Sequence, residues 1–110
     1  MGKIVVGDVV AVTFPFSDLS SHKLRPALVV AKAEFDNLIL CQITSRPYSS
    51  KRAFVIEDAD FTKGKLPIRS YVRPDKLFTA DPIIIEKVAG SLNGKVISDI
   101  LSQVQDLFKV

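Results

Sequence analysis

Apolar side chains along this chain come in short runs, not in one sustained repeat. Asp8 to Phe14 (DVVAVTF), Pro26 to Ala33 (PALVVAKA) and Leu38 to Thr44 (LILCQIT) are rich in β-branched residues and bounded by Pro, Asp or Asn. Such runs read as strands. The Asp36-Asn37 pair is a turn signal that makes the second and third a hairpin. Ala53 to Glu57 is a shorter strand. Arg69 to Arg73 alternates, with Ser70 and Val72 on one face and Arg69, Tyr71 and Arg73 on the other. Ile83 to Val88 opens on three isoleucines, which favours strand because β-branched residues crowd χ1 in a helix.

The period then changes. Val96, Ile97, Ile100, Leu101, Val104, Leu107 and Phe108 recur at three- and four-residue spacing behind Asn93, a good N-cap. This predicts an amphipathic C-terminal helix of about four turns. Its stripe is expected to cover one opening of the sheet; the alternative is a face for a partner helix. Many short strands followed by one late helix predict a mostly β fold with a C-terminal helix, a small and strongly bent barrel. Two connections stand out. Pro15 to Arg25 is a long segment with little periodicity, the kind of loop that is often functional, and Ser45 to Arg52 is polar and basic.

At 110 residues the chain has room for one domain, expected to span residues 1–110. Its 47% apolar and 25% charged composition excludes a disordered tail or a disulfide scaffold. One Cys, Cys41, and one His cannot build a Cys/His metal site, and Cys41 in its apolar run reads as a buried, inert thiol. No run reaches the ~20 apolar residues of a membrane span. The N-terminal apolar stretch is too short for a signal sequence, so a cytoplasmic protein is expected. The net charge is +3, and Thr44 to Lys76 holds eight basic against four acidic residues, so the basic excess lies in the middle third. With Tyr48, Phe54 and Tyr71 interleaved, that segment reads as a surface for a phosphate backbone and unpaired bases; a solvated basic face is the bland alternative.

At this point the chain resembles a known family. Gly7-Asp-Val-Val-Ala-Val-Thr-Phe-Pro-Phe16 followed by Leu24-Arg-Pro-Ala-Leu-Val-Val30 looks like the opening of the MazF/PemK/Kid-type toxins of type II toxin–antitoxin modules. Ile43-Thr-Ser45, Ser70-Tyr-Val-Arg-Pro-Asp-Lys-Leu77 and Lys87-Val-Ala-Gly-Ser-Leu92 fit the later signatures, in order along nearly the whole chain. The resemblance implies an SH3-like (CcdB/PemK-like) barrel and a homodimer. It also implies an endoribonuclease (mRNA interferase) that cuts single-stranded RNA sequence-selectively with no metal or other cofactor. A cognate antitoxin whose C-terminal segment occupies the RNA groove belongs to the same expectation. This chain departs from many relatives at Ser20-Ser-His-Lys23, where they carry glycine, and in Ser45 to Ala53.

Metal-free RNA cleavage uses the substrate's 2′-OH as nucleophile and leaves a 2′,3′-cyclic phosphate and a 5′-OH. The 2′ proton must be removed, the phosphoryl oxygens stabilised and the leaving oxygen protonated. Arg25 suits the second task because its planar fork matches phosphate, and Thr44 can donate a hydroxyl to the same group. An Arg paired with Asp8 or Asp18 and a Thr that merely favours strand are the plain alternatives. Arg73 and Asp75 match a Val-Arg-x-Asp motif that the Kid-like branch uses in cleavage, although their spacing also suits a simple salt bridge. Phe16, His22, Lys23, Arg46, Tyr48, Lys51 and Arg52 are the candidate RNA contacts. Two other functions share the barrel. A CcdB-like toxin poisons gyrase through a C-terminal tryptophan motif, and this chain has no Trp. A catalytically inactive RNA-binding barrel is the other.

Overall fold

The computed structural model describes residues 3–15, 22–48 and 50–110, with the backbone alone at positions 14, 15 and 22. Seven strands and one helix follow in order: β1 (Asp8–Pro15), β2 (His22–Lys32), β3 (Leu38–Thr44), β4 (Phe54–Ile56), β5 (Phe61–Gly64), β6 (Ser70–Ala80), β7 (Ile85–Leu92) and α1 (Gly94–Asp106). They form one antiparallel sheet, ordered β4-β6-β3-β2-β1-β7-β5, curled into a half-barrel.

The central strands bury both faces, which is why they read as continuous apolar runs. Val9, Leu28, Val30, Cys41, Ile43 and Val72 form a core with Val96 and Ile100 of α1. Val10, Val12, Ala27, Val29, Leu38 and Leu40 form a second core, against which Ile4, Phe78 and Ile84 pack. The helix therefore closes one side of the curled sheet, as its stripe predicts. Its first turn is capped by the Asn93 side chain, which accepts the Val96 N–H at 2.9 Å. Phe108, the last member of the stripe, stays exposed.

Strand positions depart from the sequence reading where a neighbour supplies hydrogen bonds that local composition does not reveal. β2 begins at His22 instead of Pro26, because Pro15, Phe14, Thr13 and Val12 of β1 pair with His22, Lys23, Leu24 and Arg25. The long connection before Arg25 is shorter by that much. β6 runs past Pro74 to Ala80, where the alternating pattern alone ends it at Arg73. Pro74, fully buried, falls at an irregularity where pairing to β3 jumps from Val72 to Leu77, so its missing N–H costs no ladder bond. Pro82–Ile84 is a 3₁₀ turn, and β7 starts only at Ile85. β5 was not expected; it is a short edge strand paired to β7.

The last of these decides the shape. β5 lies at one end of the sheet and β6 near the other, so residues 65–69 bridge the open side of the curl. The bridge starts at Gly64, whose φ of +65° is left-handed. A Cβ there would fall 2.1 Å from the Ala89 carbonyl oxygen, so only glycine allows β5 to approach β7 this closely.

Candidate RNA-binding groove

β2 and β3 pair with Ala27 opposite Gln42 and Leu28 opposite Cys41. Carrying that register two residues outward sets Arg25 opposite Thr44. Both side chains then leave the same face of the sheet, at the mouth of the curl. They line one groove of about 600 Å³, a size common for ligand clefts. Its walls are Lys23 to Pro26 of β2, Ile43 to Ser45 at the end of β3, and Lys87 to Ala89 of β7, with residues 65–68 across the top. Among the described residues Lys23, Arg25, Lys65 and Lys87 are the charged ones that line it, with no carboxylate. A lining whose described charged residues are all cationic favours an anionic ligand.

Thr44 is held in place by its own loop. Its Oγ1 accepts the Arg46 N–H at 3.0 Å and lies 3.3 Å from the Arg46 carbonyl oxygen, to which it donates. The accepted bond fixes the oxygen, and the hydroxyl hydrogen can turn from the carbonyl to a phosphate oxygen. Asp8, one sequence-level partner for Arg25, is buried at the start of β1. It accepts the Val5 N–H at 3.0 Å and the Ser91 hydroxyl at 2.7 Å.

The other candidates are spread more widely. Arg46 is exposed just beyond Thr44. Tyr48, Lys51 and Arg52 are exposed on the connection from β3 to β4, outside the groove lining. Tyr48 stands 86% exposed with φ +54°, a left-handed conformation unusual for a tyrosine. Phe54, read as a platform for bases, instead packs against the helix-side core, and Tyr71 is half-buried opposite Thr44. Phe16 and Asp18 lie outside the described residues, as does the His22 side chain.

Arg73 and Asp75 lie on β6 and do not line the groove. Arg73 donates from Nε and Nη2 to the two Asp75 oxygens, both at 3.2 Å. That hydrogen-bonded guanidinium holds the Asp75 carboxyl below its ordinary pKa, and the charge of Arg52 adds to the effect. Asp75 in turn raises the pKa of the buried Cys41 thiol, which desolvation above all pushes up to about 12. Among the described residues no group of three His, Cys, Asp or Glu gathers as a metal site would need, and no helix is long and apolar enough to cross a membrane.

Sequence reasoning missed Lys65 and Lys87 as groove residues. Lys65 was visible only as part of a basic segment, and Lys87 as part of a motif. It is the curl of the sheet, with the bridge from β5 to β6, that puts both in the lining of the groove.

A curled antiparallel sheet, a helix closing one side and a groove lined by cations together define a small half-barrel. The chain belongs to the PemK-like, MazF-like toxins of type II toxin–antitoxin systems, whose family model matches residues 6–108. Solved structures share the fold at low identity. The MazF of a MazE–MazF complex from Deinococcus radiodurans superposes with a TM-score of 0.73 at 18% identity, covering 93% of this chain and 92% of that one. A mycobacterial endoribonuclease in complex with its cognate antitoxin gives 0.72 at 14%, covering 96% and 93%. The MazF-mt6 toxin of Mycobacterium tuberculosis gives 0.70 at 17%, covering 92% and 95%. No match was found among curated proteins.

Proposed function

We propose that this toxin is an endoribonuclease that cuts single-stranded RNA, mRNA in the cell, in a sequence-selective manner and without a metal. The observation that carries the reading is that Arg25 and Thr44 come together in the lining of one groove whose other described charged residues are lysines. The substrate's 2′ oxygen attacks the adjacent phosphorus, the bond from phosphorus to the 5′ oxygen breaks, and a 2′,3′-cyclic phosphate and a 5′-OH result. Arg25 holds the phosphoryl oxygens as negative charge builds, and Thr44 donates its hydroxyl to the same phosphate. Lys23, Arg46, Lys51 and Arg52 contact the backbone on either side, and Phe16, His22 and Tyr48 contact bases or sugars.

Arg73 and Asp75 are better suited to an ion pair along β6 than to accepting the 2′ proton. A carboxylate that is already gripped by a guanidinium is a weak base. The reading includes a cytoplasmic single-domain protein acting as a homodimer and silenced by a cognate antitoxin. The solved MazE–MazF and endoribonuclease–antitoxin complexes of the same fold support that partner.

The test is purified protein on a long single-stranded RNA in excess EDTA, with both new ends mapped. Cutting with cyclic-phosphate and 5′-hydroxyl ends is expected. Intact RNA would leave a non-catalytic RNA-binding barrel, and cutting that stops in EDTA would reject the metal-free mechanism.

A further inference from the structure

We infer that the inner part of the groove is a pocket for a small amphipathic anion, an aliphatic chain ending in a carboxylate, with its tail inward and its head at Lys65 and Lys87. The alternation of side chains along β2 and β3 sets this pocket behind the Arg25–Thr44 pair. Arg25 shares its face with Ala27, and Thr44 with Gln42, on the side of the core that lies away from the helix. Leu24 and Pro26 alternate with Arg25 and share the face of Leu28, a member of the helix-side core. Ile43, beside Thr44, belongs to that same core. Ala11 pairs with Pro26 on one side and Lys87 on the other, and so carries this face across β1 to β7. Arg25 and Thr44 thus stand at the rim of the groove, and its interior lies on the opposite side of the strands that bear them.

The lining gives the class of ligand. Leu24, Pro26, Ile43, Leu66, Ile68 and Ala89 supply apolar walls. Ile43 is buried, and Leu66 and Ala89 pack against the helix-side core. The floor is therefore that core, and a ligand leaves by the mouth it entered. Such a blind pocket suits the end of a chain better than a polymer passing through. Residues 65–69 roof it and are held at two points: Leu66 is anchored on the core, and the buried Ser70 donates its hydroxyl to the Ile68 carbonyl at 2.8 Å. At the mouth Leu24 and Ile68 leave 55% and 61% of their surface exposed, apolar area that a hydrocarbon tail covers. Lys65 and Lys87 are exposed beside them, and neither is in an ion pair with another described residue. A carboxylate at their level keeps its contact with water while its chain leaves water, so binding buries no charge. A negative head with an apolar tail is the complement of a lysine rim around an apolar floor.

The experiment is an amide NMR titration of the isotope-labelled full chain with butanoate, hexanoate and octanoate. Shifts should centre on Leu24, Ile43, Ile68 and Ala89, and affinity should rise by up to about fourfold per added methylene, the worth of one buried CH2. Octanol, which has the same tail without the charge, should bind wild type about tenfold or more weakly than octanoate does. The double variant Lys65→Gln, Lys87→Gln should lose about the same factor for octanoate and nothing for octanol. Ile68→Asp sets a like charge at the mouth and should also lose octanoate binding. Lys95→Gln on α1, which removes a lysine paired with Asp99, should change nothing. Because the Arg25–Thr44 pair faces the other way, a single-stranded RNA with 2′-fluoro sugars should not displace octanoate. Equal affinity of wild type for octanol and octanoate, or wild-type affinity for octanoate in the double variant, would overturn the anion site. Absence of shifts in the pocket would overturn the pocket itself. Displacement of octanoate by the RNA, or by polyglutamate, would reassign the pocket to that polymer and overturn the proposal. No readout here measures cleavage, so these failures leave the endoribonuclease reading standing. Melting temperatures check that the variants fold, and the octanol comparison in wild type decides the matter if one does not.

Discussion

Arg25 and Thr44 leave one face of the sheet from facing ends of adjacent strands and line the same groove. The paired register ends at Ala27–Gln42, and Arg25 and Thr44 lie two residues beyond it. A guanidinium on one side and a backbone-anchored hydroxyl on the other suit a tetrahedral phosphate.

Arg25→Ala should lower the cleavage rate by about 100-fold or more, the usual loss when one donor to a developing oxyanion is removed. Arg25→Lys should restore RNA binding but not the rate, since a point charge lacks the planar fork. Single-turnover kinetics on a defined RNA separate the two effects, and full activity in the alanine variant would remove Arg25 from the chemistry.

Thr44→Ser keeps the hydroxyl and should retain activity within a few-fold. Thr44→Val should lose about tenfold or more, the worth of a hydrogen bond to a charged group. It also strips the Arg46 N–H of its acceptor. Equal activity in the serine and valine variants would show that the hydroxyl acts on neither the phosphate nor the loop.

Asp75 supplies a pH signature. Its folded pKa lies below the ordinary value, so its contribution to stability is present above about pH 4 and fades as pH falls through the lowered folded pKa. Because the pair is partly solvent-exposed, the contribution is expected to be under about 1 kcal/mol. Asp75→Asn should therefore lose that little at pH 7, converge with wild type in strong acid and keep most of its cleavage rate. A collapse of the rate at unchanged stability would make Asp75 the proton acceptor.

Cys41 gives the opposite sign. With its folded pKa pushed up to about 12 from an ordinary 9.0, the neutral thiol favours the folded state below about pH 9. That advantage fades as pH rises from about 9 toward 12. Native protein should resist thiol reagents at neutral pH and react fully in denaturant. Cys41→Ala should flatten the alkaline side of the stability profile, as read by urea titration at several pH values.

Gly64→Ala places a methyl group against the Ala89 carbonyl and forces an alanine into a left-handed backbone. The backbone term alone is about 1–2 kcal/mol, and the clash adds to it. A melting temperature lower by several degrees is expected, together with weaker RNA binding as the 65–69 bridge shifts. An unchanged melting point would mean that β5 does not pack on β7 as described.

Much of this molecule was legible in one dimension. The runs around Val9, Val29 and Leu40 announced strands because both of their faces are buried, and the three-and-four spacing behind Asn93 announced the helix because one stripe must meet the core. The residues that pair in space were legible one by one: Arg25 and Thr44 as chemistry of the right kind, Cys41 as a buried thiol. What stayed hidden was whatever depends on a neighbour. His22 to Arg25 became strand because β1 supplies its ladder. β6 passed Pro74 because an irregularity in the pairing excused the missing donor. Phe54 went to the core although its position in a basic segment pointed outward. Composition therefore decided which segments would be strand or helix, since burial and propensity act residue by residue. Only the curl of the sheet decided that Lys65 and Lys87 would line one groove with Arg25, because that depends on which strand edges meet, and no local pattern records it.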